Sequence, residues 1–239
     1  MNEPAAYRPP RPIVRFVLHR LSYLAFTVLT DFRVIGAENI PAQGALLVVG
    51  NHFHFADPVA VIRAIPGSME FVGGFQMPNA PASVTWLPKL WSIHTVRRAG
   101  VSRDALRGAA QVLAQNGRLT IFPEGGSWAS VLRPPRPGAA YLAVESGAMV
   151  LPLGIDGMTN IFPFVRRGRR ATITVRIGRP FGPFQADGVG RARREQLRQI
   201  GDEIMRRIAA LIPADRHGVY SADPQIRAAA QEAAKYPWD

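Results

Sequence analysis

Residues 45–49 read Ala-Leu-Leu-Val-Val, an uninterrupted apolar run with the length of one strand. Such a run is typical of a parallel strand that is buried on both faces of a sheet. Strand and helix patterns alternate along the rest of the chain. Further strands are predicted over residues 32–35, 70–75, 93–96, 119–122, 149–155 and 172–177, and helices over residues 57–64, 102–116, 138–146, 190–212 and 224–235. This alternation predicts an α/β fold with a mostly parallel, mixed sheet that is flanked by helices on both faces.

The composition of the 239-residue chain limits the classes of function. There is no Cys, which excludes disulfides, thiolate metal sites and a cysteine nucleophile. The formal net charge is +12, and all of the 29 basic residues except Lys89 and Lys235 are arginine. Arginine suits contacts with phosphates and carboxylates, so we expect an anionic partner such as a phospholipid surface or an acidic carrier protein. We expect no nucleic-acid partner, because no binding motif or aromatic platform is recognisable.

Residues 32–239 are predicted to form a single domain, and the beginning of the chain is predicted to lie outside it. Residues 1–12 are polar and rich in proline, and they lack the apolar core of a signal peptide. No low-complexity linker or internal repeat divides the remainder of the chain. We therefore expect a tail and a helix over residues 1–31, followed by one α/β domain that ends in C-terminal helices.

Residues 13–30 are strongly apolar but are interrupted by Arg15, His19 and Arg20. The longest uncharged run, residues 21–30, is shorter than the ~20 apolar residues that span a bilayer. We therefore expect an amphipathic helix that does not cross a membrane. It either packs on the domain as its first helix or lies in a membrane interface with its arginines at headgroup level. Its aromatic side chains favour the interface, and hence a peripheral position on the cytoplasmic face of the cell membrane.

Polar residues follow three of the predicted strands at the point where each strand ends. They are Asn51-His52, Arg97-Arg98 and Glu124-Gly125. In open α/β sheets, ligands bind outside the carboxyl ends of the strands. A base, a guanidinium group and a carboxylate are therefore expected to converge on one edge of the sheet.

His52 and Asp57 lie five residues apart, directly after the apolar strand. This spacing suits a loop residue that turns back over the first turn of a helix whose N-cap is Asp57. The carboxylate would accept one imidazole N–H and leave the other ring nitrogen as a general base. The alternative is that Asp57 only caps the helix and His52 only fills space. His52-x-His54 also resembles the start of a metallo-hydrolase H-x-H-x-D-H run, but Ala56 and Asp57 occupy its last two positions, so we expect no metal.

A second candidate element is Glu124-Gly125-Gly126, a carboxylate followed by two glycines after a strand. Such a turn presents backbone N–H groups that hold a phosphate or an oxyanion. Residues 125–129 are also close to the nucleophile elbow G-x-S-x-G, with Ser127 at the serine position. Asp156 and His217 follow in the right chain order for a Ser-Asp-His triad. This serine-hydrolase interpretation leaves the His52–Asp57 pair and Glu124 without a role.

Four short blocks occur in the order and spacing of one known family. Asn51-His52 through Asp57-Pro58 forms N-H-x-x-x-x-D, and residues 122–125 read Phe-Pro-Glu-Gly. Residues 95–100 read Thr-Val-Arg-Arg-Ala-Gly, and residues 150–155 read Val-Leu-Pro-Leu-Gly-Ile. These blocks resemble the four motifs of the glycerolipid acyltransferases of the lysophosphatidic-acid acyltransferase type, and residues 34–41 are also similar to that family.

The resemblance implies transfer of a fatty acyl group from acyl-CoA or acyl carrier protein to a hydroxyl of a lysophosphatidate-like or other lysolipid acceptor. It implies a general base held by a carboxylate, a cation for the acceptor phosphate and a turn that positions the polar head. The residues concerned are His52 and Asp57 for catalysis, and Arg98 (or alternatively Arg97), Glu124 and Gly125 for substrate binding. No cofactor is implied beyond the acyl-CoA or carrier-protein co-substrate.

The third block departs from the family pattern. The family carries Thr-Arg-Ser after F-P-E-G, whereas this chain carries Gly126-Ser127-Trp128. The absent arginine accompanies recognition of an anionic acceptor. Either Arg133 and Arg136 in the following loop replace its charge, or the acceptor has a different head group. Two alternative functions stay open: a serine-type lipid acyl hydrolase that uses Ser127, and a catalytically impaired, membrane-associated lipid-binding homologue.

Overall fold

The computed structural model describes residues 9–74, 80, 85, 91, 93–95 and 103–234. Within this part of the chain, seven strands form one sheet: β1 (Thr30–Ile35), β2 (Leu46–Gly50), β3 (Glu70–Gly73), β4 (His94–Thr95), β5 (Arg118–Ile121), β6 (Met149–Asp156) and β7 (Ala171–Ile177). The α-helices of the described residues are α1 (Pro12–Leu29), α2 (Asp57–Ala64), α3 (Arg103–Ala114), α4 (Gly138–Ser146), α5 (Ile161–Val165), α6 (Gly190–Ala209) and α7 (Pro224–Ala234).

The strands follow the order β1-β7-β6-β2-β5-β3-β4 across the sheet. Neighbouring strands run parallel, except that β6 and β7 are antiparallel. Helices cover both faces of the sheet. The prediction of an α/β fold with a mostly parallel, mixed sheet is therefore confirmed.

The apolar run of β2 lies at the centre of the sheet, between β6 and β5. Its side chains alternate between two apolar cores. Leu47 and Val49 pack with residues of α3, α4 and α6 on one face, whereas Leu46 and Val48 pack with residues of α1 and α2 on the other. Because β2 is buried on both faces of the sheet, packing fixes the backbone position at which the following loop begins.

The start of α2 differs from the prediction by one residue. The helix begins at Asp57 with Ala56 at the N-cap position, so Asp57 is the first helical residue and not the cap. The reason is that the Asp57 carboxylate points back along the chain. Its Oδ2 atom accepts the backbone N–H of His54 and lies within hydrogen-bond distance of the His52 ring.

Helix α1 turns its polar side toward the domain. The Arg15 guanidinium is buried and forms an ion pair with Glu70, with an Nη2–Oε2 distance of 2.9 Å. It also donates to the backbone carbonyls of Met69 at 3.3 Å and Trp91 at 2.7 Å. Phe26, on the same side of the helix, is buried in the core. The expectation that the arginines of this helix lie at headgroup level is therefore wrong for Arg15.

The opposite side of α1 exposes large apolar side chains to solvent. This apolar face consists of Ile13, Phe16, Val17, Leu21, Leu24, Val28 and Leu29. By length and composition alone, α1 is the one helix among the described residues that could cross a membrane. Its uncharged run, residues 21–30, is shorter than the ~20 apolar residues that span a bilayer. A helix that meets water normally turns its apolar stripe inward. Helix α1 departs from this pattern, because most of its large apolar side chains are exposed.

We expect Arg15→Met to lower the free energy of unfolding by about 3–5 kcal/mol, because it leaves the Glu70 carboxylate buried without its partner. Urea denaturation measures this loss. Arg20→Met, which removes an exposed arginine of the same helix, is the matched control and should change stability by about 0.5 kcal/mol or less. Equal stability of Arg15→Met and the control would contradict the anchoring role of the pair.

Candidate active site

The loop after β2 brings His52 and Asp57 together. His52 Nδ1 lies 3.0 Å from Asp57 Oδ2. The same carboxylate oxygen accepts the backbone N–H of His54 at 2.8 Å, which fixes its orientation. The Asp57 side chain is 1% exposed and the His52 side chain is 15% exposed, so the carboxylate is shielded from water while the imidazole is partly accessible. The contact leaves the other ring nitrogen of His52 for a proton transfer.

Two further contacts hold His52 in place. Its backbone N–H donates to Glu124 Oε1 at 2.8 Å. Its ring stacks on Phe122 with 4.3 Å between the ring centroids and 17° between the planes. The preceding side chain, Asn51, exchanges hydrogen bonds of 2.8 and 2.7 Å with the backbone of Ile155. The ends of β2, β5 and β6 are thus joined at one edge of the sheet.

Glu124 is fully buried beside His52. Burial raises its pKa to about 7, against the opposing effects of the Arg133 guanidinium and the His52 backbone N–H. The distance from Arg133 Nε to Glu124 Oε2 is 3.4 Å. The carboxyl group therefore changes its charge close to neutral pH, next to the imidazole.

Arg133 has a different environment from the one expected of an acceptor ligand. Its side chain is fully buried, donates to the Gly126 carbonyl and lies with Cζ 3.6 Å from the Trp128 ring centroid. A Cβ atom at position 126 would approach the Trp128 ring to 1.9 Å, so glycine is required there. The structure makes Arg133 the counter-ion of Glu124, and it does not support the predicted contact of Arg133 with an acceptor phosphate.

The other predicted ligands differ in position. Arg136 is exposed, and its backbone N–H donates to the Pro123 carbonyl at 2.7 Å. Gly125 is exposed with a φ of 76°, and its N–H donates to the Phe122 carbonyl at 3.0 Å. That N–H is therefore occupied, contrary to the expectation that it would hold an oxyanion. Arg97-Arg98 lies outside the described residues.

The alternative serine triad is not assembled. Ser127 is 5% exposed, and the described residues show no hydrogen bond from it to Asp156 or His217. His217 Nε2 lies instead 3.1 Å from the Ile212 carbonyl oxygen. In the part of the chain that the structure describes, no group of three or more His, Asp or Glu side chains is arranged to hold a metal ion.

One known protein family matches the part of the chain that contains this site. A profile of the family named Acyltransferase matches residues 31–156, just over half of the chain. The chain belongs to the Acyltransferase family. The matched region of this Acyltransferase chain contains His52, Asp57 and Glu124.

Two individual proteins are similar to this Acyltransferase chain. A 1-acyl-sn-glycerol-3-phosphate acyltransferase of Borreliella burgdorferi is 27% identical over 131 residues, which are 54% of this chain and 52% of that protein. The match thus spans about half the length of this curated relative. The crystal structure of the 1-acyl-sn-glycerophosphate (LPA) acyltransferase PlsC from Thermotoga maritima has a TM-score of 0.59 at 24% identity, covering 86% of this chain and 82% of that one. At that identity the likeness concerns the fold.

Sequence reasoning missed three side chains around the site. Trp128 is visible in the sequence only as a departure from the third block. Phe162 of α5 stacks on Phe55 of the loop after β2, with 5.9 Å between the ring centroids. Arg216 lines a small cleft together with Asp57, whose Oδ1 atom has no hydrogen-bond partner among the described residues. Phe162 and Arg216 lie beyond the residues that match the Acyltransferase family, so no motif indicates them.

We expect wild-type stability, relative to Glu124→Gln, to fall as the pH rises from about 4.5 to about 7. The folded state holds the Glu124 proton up to a pKa of about 7, whereas the unfolded chain releases it near 4.5. The relative loss is on the order of 2–3 kcal/mol and levels off above pH 7.

Urea denaturation of both proteins across this pH range measures the difference. Glu195→Gln, on the exposed side of α6, is the control and should show no such loss between these pH values. If the difference in free energy of unfolding between wild type and Glu124→Gln did not change with pH, the pKa of the Glu124 carboxyl would not be raised in the folded protein.

Proposed function

We propose that the protein is a lipid O-acyltransferase. It transfers a fatty acyl group from acyl-CoA or acyl carrier protein to a hydroxyl of a lysophosphatidate-like or other lysolipid acceptor. The observation that carries this proposal is the contact between His52 and Asp57 at the edge of the sheet, with Glu124 on the backbone of His52. Membership of the Acyltransferase family and the name of the curated relative support the choice of reaction.

His52 acts as the general base. With Asp57 accepting the N–H of Nδ1, the neutral ring has an unprotonated Nε2 atom; this tautomer is assigned from the contact. As the acceptor oxygen attacks the thioester carbonyl carbon, its proton passes to Nε2 and Asp57 stabilises the imidazolium. The C–S bond then breaks, and the sulfur leaves with the electron pair. A thiol pKa of ~8.5 makes the thiolate a good leaving group, so no covalent enzyme intermediate is needed.

Burial and exposure distinguish the roles that we propose for Glu124, Arg133 and Gly125. Glu124 is a positioning residue that acts through the backbone of His52, and Arg133 acts through Glu124. Gly125 is exposed in the same turn, where the polar head of the acceptor can approach it.

Arg98, or alternatively Arg97, binds an acceptor phosphate, and the exposed Arg136 supplies the second cation when the head group is a phosphomonoester.

The proposed partner of α1 is an anionic membrane surface. The ion pair between Arg15 and Glu70 keeps the helix on the domain, and the apolar face points away from it. Burial of this face in the interfacial region gives a peripheral attachment, which we place on the cytoplasmic face of the cell membrane. Lysolipid acceptors are amphipathic, so attachment also brings the site to its substrate.

The decisive experiment identifies the lipid products by mass spectrometry. Purified protein is incubated with one acyl-CoA and a panel of lysolipids. Wild type is expected to form an ester with at least one acceptor, and His52→Ala to lower its rate by about 10²–10⁴-fold. Ser127→Ala is the matched control, because it also truncates a side chain near the site, and it should retain the activity.

The outcomes separate the candidate reactions. Release of free fatty acid in place of ester, with equal loss in both variants, would identify a serine hydrolase. Near wild-type turnover of His52→Ala would contradict the proposed mechanism. Thermal unfolding of both variants verifies that they are folded.

A further inference from the structure

We propose that the basic turn over residues 166–170 binds the phosphate groups of the membrane and sets the orientation of the domain on it. In this orientation Phe162, whose ring contacts the loop that carries His52, meets the lipid. The inference rests on the proposed function and names a second, polar part of its lipid-binding surface. Three independent observations support it: unneutralised charge, a direct contact with α1 and an aromatic contact with the loop of His52.

The charge of the turn is not neutralised by the protein. Arg166, Arg167 and Arg169 are exposed, and within the described residues none of them forms an ion pair. Backbone hydrogen bonds from residues 167–169 to Phe164 and Val165 keep the turn compact. Three guanidinium groups in such a turn suit the phosphates of an anionic leaflet.

The second arginine-rich segment of the chain, α6, behaves differently. Arg198 pairs with Glu195 and Asp202, and Arg207 pairs with Glu203. Helix α6 also packs in the apolar core that lies on the other face of the sheet from α1. Arg191, Arg194 and Arg206 of α6 are exposed and form no ion pair within the described residues, so the charge of α6 is only partly neutralised. The two basic segments therefore differ in the share of paired charge and, above all, in the face of the sheet on which they lie.

The turn is attached to the helix that carries the apolar face. The Arg170 guanidinium donates to the backbone carbonyl of Thr27 at 2.7 Å and also to that of Thr30. These carbonyls lie at the C-terminal end of α1, where Val28 is 60% exposed. The phosphate-binding turn and the apolar face of α1 thus form one continuous surface.

The same surface reaches the loop of the proposed base. Phe162 precedes the turn, is 42% exposed, and stacks on Phe55 with 16° between the ring planes. Its ring centroid also lies 5.8 Å from that of His54, whose backbone N–H donates to Asp57. Phenylalanine is typical of the apolar side of interfacial segments, so the exposed Phe162 is suited to enter the boundary between headgroups and acyl chains next to this loop.

The test compares two triple variants that remove the same charge. Arg166→Gln/Arg167→Gln/Arg169→Gln changes the turn, and Arg191→Gln/Arg194→Gln/Arg198→Gln changes the exposed side of α6. Partitioning is measured by sedimentation with vesicles of phosphatidylcholine that contain phosphatidylglycerol. We expect the turn variant to bind on the order of 100-fold more weakly and the α6 variant to bind nearly as wild type.

Orientation is read with single labels, since the chain has no cysteine of its own. An environment-sensitive fluorophore is attached through Phe162→Cys or, as the control, through Val189→Cys at the start of α6, where the native side chain is 86% exposed. Addition of the anionic vesicles should shift the emission of the first label to the blue and leave the second unchanged.

Several results would overturn the inference. They are equal loss of binding in both triple variants, unchanged binding of the turn variant, or a blue shift at position 189 and not at 162. A turn variant that keeps vesicle binding but loses affinity for an acidic acyl carrier protein would show that the turn binds a protein instead. Partitioning needs no catalysis, so failure of the acyl-transfer assay contradicts the proposed function and leaves this test intact.

Discussion

The hydrogen bond from the His52 backbone N–H to the buried carboxylate of Glu124 is the contact on which the site depends. It joins the loop after β2 to the loop after β5. A buried carboxylate is costly unless it is paired, so this contact in turn requires Arg133. Arg133 packs under the Trp128 ring, which is possible only because position 126 is glycine. The position of the imidazole therefore depends on a series of buried contacts.

A second buried ion pair determines how the domain presents itself to its surroundings. Arg15 and Glu70 draw the polar side of α1 inward, and the apolar side is turned outward as a consequence. In both pairs, removal of one partner leaves the other side chain buried without its counter-ion. The Arg15 pair orients a helix, whereas the Glu124 pair orients a loop. The site and the proposed membrane surface thus each depend on a buried arginine–glutamate ion pair, one with Glu70 in β3 and one with Glu124 after β5.

The sequence predicted the fold because β2 is apolar throughout and therefore buried on both faces. It also predicted the approach of His52 to Asp57, since five residues bridge a strand end and a helix start. Local patterns do not reveal the distant partners of long side chains. The burial of Arg133 depends on Trp128, and the inward position of Arg15 depends on a strand 55 residues away. Those two expectations failed for that reason.

In the proposed mechanism the acyl group passes directly from the thioester to the acceptor, with His52 as base and no acyl-enzyme. The intact mass of the protein, recorded after rapid acid quenching of a mixture with acyl-CoA, distinguishes direct transfer from an acyl-enzyme. Direct transfer predicts an unmodified mass at all times, with or without acceptor, while ester accumulates only when acceptor is present. A mass increase of one acyl chain that forms without acceptor and disappears when acceptor is added would contradict direct transfer.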